Sequence, residues 1–226
     1  MPTAKTLAAA AAYVALAATD TALAGRSEPA ARRARFLVKP LLMPVLAVAF
    51  RGGTPGRTDP LRRGTAAAQV FSWGGDVALL GHGEKAFLSG VGSFFAAHVA
   101  YVSGFASARE RRADPRGVKL AGGLWLTTAP VMAWAAGRRS RRLAGPVAGY
   151  AAVLATMFGT STTLDPALPR HARATVQAGT TLFLVSDTLL GVQDFLLSEP
   201  RPGLERAVMA TYTAGQGLIA WGVARA

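Results

Sequence analysis

What most limits this chain is how its charge is parcelled: long stretches almost free of ionisable side chains alternate with short clusters of arginine. Eight apolar stretches can be marked, at 7–24, 36–50, 64–81, 86–108, 118–136, 143–160, 173–196 and 204–224. Most have the about 17 to 25 residues a helix needs to cross a bilayer. The second is short, because residues 36–50 at about 1.5 Å each reach only about 22 Å. It is expected to run past Phe50, to tilt little, or to sit where the bilayer is thinned. The connections carry helix breakers, as in Arg51-Gly-Gly-Thr-Pro-Gly56, Ala113-Asp-Pro-Arg-Gly117, Leu164-Asp-Pro166 and Ser198-Glu-Pro-Arg-Pro-Gly203. None is long enough to separate two domains. The expected fold is all-α: a polytopic integral membrane protein, 1–226 forming a single membrane domain of about eight transmembrane helices.

Composition narrows the function classes. The 226 residues hold 25 Lys and Arg against 12 Asp and Glu, and every cation except Lys5, Lys39, Lys85 and Lys119 is arginine. A nucleic-acid binder gathers such charge into one stripe. Here it is spread over many hinges, so no nucleic-acid partner is expected; the partner is the lipid bilayer. A chain that is 51% hydrophobic is also a poor candidate for disorder. The absence of cysteine excludes disulfides, thiolate nucleophiles and Cys-ligated metals. The loops on the side of the termini hold slightly more Lys and Arg than those on the other side, which places the termini in the cytoplasm of a multi-pass cell-membrane protein. A rival reading of the first stretch is a signal peptide, with Lys5, an apolar run and Ala22-Leu23-Ala24 as cleavage site. Asp20 so near that cut is unusual for one.

An ionisable side chain inside a span costs a few kcal/mol, so each is a functional candidate. There are six: Asp20, Lys39, Asp76, His98, Asp187 and Asp194. Alternating spans put all but His98 in the half of the membrane opposite the termini, with His98 near the centre and no ionisable group in the remaining half. That segregation describes one polar cavity open to one leaflet. Helical spacing agrees. Gln69, Ser72 and Asp76 follow i, i+3, i+7, while Gln177, Thr180, Asp187, Thr188, Gly191 and Asp194 form a stripe on the seventh span. Phe94, His98, Tyr101 and Phe105 share a face of the fourth span, and Tyr212 and Gln216 stand one turn apart on the last. Plainer readings stand beside these. Lys39 with Asp76 or Asp187 makes a structural ion pair, His98 a satisfied interhelical donor, and Asp20 and Asp194 lie near enough to the interface to be solvated. The Phe and Trp side chains face lipid or pack, and Trp73-Gly74-Gly75 marks a close helix contact.

Five strings resemble a known family in order and spacing: Lys39-Pro-Leu-Leu-Met-Pro44, Phe71-Ser-Trp-Gly-Gly-Asp76, Phe94 to Tyr101 (FFAAHVAY), Phe183-Leu-Val-Ser-Asp187-Thr-Leu-Leu190 and Thr211-Tyr-Thr-Ala-Gly-Gln216. They look like the YhhN / transmembrane protein 86 family, whose characterised members are lysoplasmalogenases. The likeness covers spans two to eight; the first span has no matching motif. It implies an ether hydrolase that cleaves the vinyl ether of a lysophospholipid substrate, 1-alkenyl-lysophosphatidylethanolamine or -choline, to a fatty aldehyde and a glycerophospho-alcohol. That reaction protonates the outer alkenyl carbon and then adds water to the oxocarbenium ion, so it wants one neutral acid, one carboxylate and water. Two nearby buried carboxyls meet the need, because desolvation and mutual repulsion keep one proton between them. Asp76 and Asp187 are the expected catalytic pair, the acid unassigned. Lys39 holds the remaining carboxylate or meets the lipid phosphate, and His98 and Tyr101 position water or the glycerol hydroxyl, with Ser72, Ser186, Tyr212 and Gln216 in support. No metal and no cofactor is expected. A zinc hydrolase of the ceramidase type would want three inward histidines, and the chain has only His82, His98 and His171. From another class, the same buried Asp and Lys groups suit a proton-coupled membrane transporter or lipid carrier. A scaffolding protein would tolerate loss of both acids.

Overall fold

The computed structural model describes residues 3–110 and 114–226. Each apolar stretch coincides with one helix among those residues: α1 (Ala4–Leu23), α2 (Pro29–Gly53), α3 (Pro60–Ala78), α4 (Gly83–Ser107), α5 (Arg116–Arg139), α6 (Arg141–Ser161), α7 (Arg170–Gly191) and α8 (Pro202–Arg225). A π-helical turn, Val192–Leu196, prolongs α7. The only β-type pairing among them is an isolated bridge between Arg109 and Leu164. Local chemistry sets several starts. The Thr3 and Asp59 side chains accept hydrogen bonds from the backbone N–H groups of Thr6 and Arg62. Pro29, Pro60 and Pro202 open their helices where a missing N–H does no harm.

The second helix is longer than its apolar stretch, gaining a turn or more at its start and ending at Gly53. Pro40 and Pro44 lie inside it. Because Pro44 has no N–H, the carbonyl of Pro40 lacks its helical donor. The Trp73 indole on α3 supplies one, Nε1 donating at 3.0 Å. One tryptophan thereby repairs α2 and fastens it to α3.

Successive helices pair as α1/α2, α3/α4, α5/α6 and α7/α8. Contacts of α2 with α3, α4 with α6, α6 with α7 and α1 with α8 close seven of them into a ring, and α8 also reaches α2 and α3. Outside that ring lies α5, against α6 and the π turn. Between α7 and α8 the backbones nearly touch: a Cβ on Gly179 would lie 2.8 Å from the Gly215 carbonyl oxygen. Small residues let helices approach so closely where no hydrophobic drive exists between them. The ring encloses one core cluster that includes Tyr13, Leu42, Phe105, Met157, Phe183 and Ile219.

The outside of the bundle is apolar too. All four tryptophans, Trp73, Trp125, Trp134 and Trp221, are exposed, as are Val14, Leu37 and Leu126. Four helices, α1, α2, α4 and α6, are long and apolar enough to cross a membrane by length and composition. In α3, α7 and α8 the polar residues of the interior dilute the hydropathy, and α5 carries basic residues at both ends.

Candidate active site

A cavity of about 490 Å³ opens among α2 to α8, lined on its polar side by Arg35, Lys39, Asp76, Asp187, Glu205 and Tyr212. It lies toward the start of α8 and the loop joining α3 to α4, whereas the α2–α3 loop meets the chain's last residue at the other end, Arg57 Nη2 donating to the Ala226 carbonyl at 3.4 Å. Its remaining wall is greasy, with Phe87 and Val91 of α4, Leu124 and Trp125 of α5, and Leu154 and Phe158 of α6.

Asp76 is delivered by α3 and is almost wholly buried. Lys39 Nζ stands 3.6 Å from its Oδ1, and the Tyr212 hydroxyl of α8 donates to Oδ2 at 2.8 Å. A cation and a hydroxyl thus share one carboxylate, the arrangement that makes burial of a charge tolerable. Gly75 is required for the approach of α4, since a Cβ there would lie 2.5 Å from the Phe94 ring. The sequence Trp73-Gly74-Gly75 does mark a close helix contact.

Asp187 comes from α7 and keeps different company. The Tyr150 hydroxyl of α6 donates to its Oδ2 at 2.5 Å, and His98 Nε2 lies 3.8 Å from the same oxygen. His98 Nδ1 is 2.6 Å from the Phe94 carbonyl oxygen. A carbonyl can only accept, so Nδ1 carries the hydrogen and, in the neutral ring, Nε2 presents its lone pair to Asp187. Between the two acids stand aromatic rings: Phe183 packs edge-on to Tyr212 at 5.4 Å and to His98 at 4.8 Å.

Of the residues the sequence singles out, Lys39, Asp76, Ser186, Asp187 and Tyr212 line this one cavity, and so do Phe94, Thr188, Gly191 and Asp194. Ser186 Oγ donates to the Val208 carbonyl at 3.0 Å, tying α7 to α8. Ser72, Tyr101 and Gln216 are outside the lining and form a linked rung one turn farther in. Tyr101 donates to Gln216 Oε1 at 2.6 Å, and Gln216 Nε2 to Ser72 Oγ at 2.8 Å. His98 touches Asp187 from behind the wall. Gln177 and Thr180 serve another contact, bonding to Ser161 on α6. The histidines are dispersed: His82 is the N-cap residue of α4 and His171 lies in the first turn of α7.

Two expectations are corrected. Asp20 is not solvated but fully buried, with Arg35 Nε 3.1 Å from its Oδ1, and Arg35 also pairs with Glu205. The cause is the early start of α2, which turns Arg35 from a loop residue into a helix residue facing α1 and α8. For the same reason the half of the bundle beside the termini does hold a buried charge: α3 begins at Pro60, and Arg62 is only 5% exposed. The sequence reading also passes over Tyr150. It is one of only four tyrosines in the chain, and its place within the apolar run 143–155 was the one signal the sequence offered.

The family model described as the YhhN family matches residues 34–223. Among curated proteins and among solved structures, none matches this chain.

Proposed function

We propose that this chain, which belongs to the YhhN family, is an integral membrane hydrolase that cleaves the vinyl ether of lysoplasmalogens by Asp/Asp acid-base catalysis. On this reading all eight helices cross the cell membrane, the termini are cytoplasmic and the cavity opens to the opposite leaflet. The observation that carries the reading is the shared cavity itself: of its four carboxyls, Asp76 and Asp187 come from different helices, one with a lysine beside it and one without, and face a long apolar slot, while Asp194 and Glu205 also line it. The slot between α4, α5 and α6 takes the alkenyl chain. Arg35 and Lys39 at the polar end meet the phosphate, guanidinium being suited to it by its forked donors.

In this scheme Asp187 is the acid. Its carboxyl has Tyr150 and His98 as neighbours but, among the described residues, no Lys or Arg within ion-pair distance, whereas Lys39 holds Asp76 as a carboxylate. Asp187 gives its proton to the outer alkenyl carbon. The π electrons form the new C–H bond and the ether oxygen shares the positive charge as an oxocarbenium ion. Asp76 then takes a proton from the attacking water and a hemiacetal forms. As the hemiacetal collapses, Asp76 gives that proton to the departing glycerol oxygen while the Asp187 carboxylate takes the hemiacetal hydroxyl proton, releasing fatty aldehyde and glycerophospho-alcohol. One water is consumed, and both aspartates end in the state in which they began. Glycosidases divide the same labour between two carboxyls around an oxocarbenium-like transition state.

The test is aldehyde release from a 1-alkenyl lysophospholipid in detergent by wild type, Asp76→Asn and Asp187→Asn. Each substitution should slow the reaction by about 10²-fold or more, the usual cost of losing a general acid or base. A rate within a few-fold of wild type for either would refute the pairing. Substrate accumulation in proteoliposomes without aldehyde would favour the proton-coupled carrier instead.

A further inference from the structure

The polar face of α3 does not stop at the cavity. Arg62, Thr65, Gln69, Ser72 and Asp76 recur every three or four residues and so share one face along nearly the whole helix. All five are buried, none more than 5% exposed. At about 1.5 Å per residue the column from Arg62 to Asp76 spans about 21 Å, most of the thickness of a hydrocarbon core.

Protein satisfies this column only in part. At the cavity end Asp76 has Lys39 and Tyr212, and Ser72 has Gln216. At the far end Arg62 Nη1 donates to Asp59 at 2.6 Å, with Asp59 at the surface. The other two nitrogens of that guanidinium, Nε and Nη2, are buried without a hydrogen-bond partner, and so, in the middle of the column, are both amide atoms of Gln69. Thr65 spends its own hydrogen on the Leu61 carbonyl at 3.0 Å and has only lone pairs left to offer. A buried amide with neither donor nor acceptor used costs several kcal/mol, and buried polar groups without protein partners are normally met by internal water.

We propose that a file of internal water runs along α3 from Arg62 past Thr65 and Gln69 to the rung beneath Asp76, joining the site to solvent at the end of the bundle opposite the cavity. The site thereby has two faces: one for an amphiphile at the cavity, and one for water and protons through the helix bundle. Such a file stands on the geometry of α3 and does not depend on the reaction proposed above. In that reaction it would supply the water consumed and carry protons to and from Asp76.

The complete lack of cysteine gives a clean assay. In the full-length protein in detergent, hydroxyl radicals are generated from water by a brief X-ray pulse, and oxidation of a single introduced cysteine is followed by mass spectrometry. Thr65→Cys places the thiol in the column, and Ala68→Cys places it at an equally buried position of the same helix that is off the polar face. Because thiol oxidation follows local access, Thr65→Cys should be oxidised about tenfold faster than Ala68→Cys. Adding Gln69→Leu should bring it down to the control rate. Equal rates at positions 65 and 68, or a fast rate that survives Gln69→Leu, would overturn the proposal. Ser72→Cys repeats the measurement if Thr65→Cys does not yield folded protein. Because nothing in this assay reads hydrolysis, its failure leaves the Asp76/Asp187 reading untouched, and the converse holds.

Discussion

The two walls of the cavity hold the same functional group in opposite surroundings. On the α2–α3–α8 wall, Asp76 sits against Lys39 and Tyr212; on the α4–α6–α7 wall, Asp187 meets Tyr150 and the imidazole of His98. Both carboxyls come from helices and each accepts one tyrosine hydroxyl. Among the described residues, the Lys39 ammonium stands beside Asp76 and the His98 imidazole beside Asp187. A cation at ion-pair distance favours the charged carboxyl, and its absence in apolar surroundings favours the neutral one. In the proposed reaction the two aspartates therefore serve as different reagents, and the difference is set by which helix stands behind each.

The largest effect that could break this contrast is on the rate. Asp187→Asn and Asp76→Asn should each cost about 10²-fold or more in aldehyde release, yet they should differ in stability. Asp76→Asn strands Lys39 in the interior, and removing one partner of a buried pair costs about 3 to 5 kcal/mol. Asp187→Asn strands no Lys or Arg among the described residues, so its thermal midpoint in detergent should stay close to wild type. The double substitution Asp76→Asn/Lys39→Met should recover much of the lost stability and none of the activity. If Asp187→Asn proved the more destabilising of the two, the division between the walls would be wrong.

The tyrosines sharpen the contrast further. Tyr150→Phe removes the hydrogen bond to Asp187, and Tyr212→Phe the one to Asp76. A hydrogen bond to a charged group contributes about 1.5 to 3 kcal/mol, against about 1 for a neutral pair. With Asp76 as the carboxylate, Tyr212→Phe should cost about tenfold in rate and Tyr150→Phe less, read as kcat in the same assay. The reverse order would exchange the roles of the two acids.

Much of this arrangement is legible without coordinates because membrane helices obey simple arithmetic. A span has a known length, loops alternate sides, and the polar positions of a buried helix recur every three or four residues. That is enough to bring Lys39, Asp76 and Asp187 into one half of the bundle. What is not legible depends on where helices begin, and charged first turns carry no apolar signal. Arg35 and Arg62 precede the apolar stretches they belong to and read as loop, so the Asp20–Arg35–Glu205 cluster and the buried end of the α3 column are invisible. Tyr150 is missed for another reason. It is a lone polar tip in the apolar run 143–155 of its helix, and only the packing of α6 against α4 and α7 brings it to Asp187.

The smallest effect concerns the rung formed by Tyr101, Gln216 and Ser72. Ser72 lies one helical turn from Asp76 and Gln216 one turn from Tyr212, so the rung repeats the Asp76–Tyr212 contact one layer deeper between the same two helices. It is outside the cavity lining and cannot touch an amphiphile held there. Ser72→Ala takes away the acceptor of Gln216 Nε2 and leaves a buried amide donor unpaired, which costs about 1 to 3 kcal/mol. That cost should appear as a lower thermal midpoint, while KM and kcat stay within about threefold of wild type, because no transition-state contact is lost. Were Ser72→Ala to match Asp76→Asn in rate while folding normally, the chemistry would extend below the cavity floor. The α3–α8 layer beneath Asp76 would then count among the catalytic groups, and the contrast between one paired and one unpaired aspartate would no longer suffice to explain catalysis.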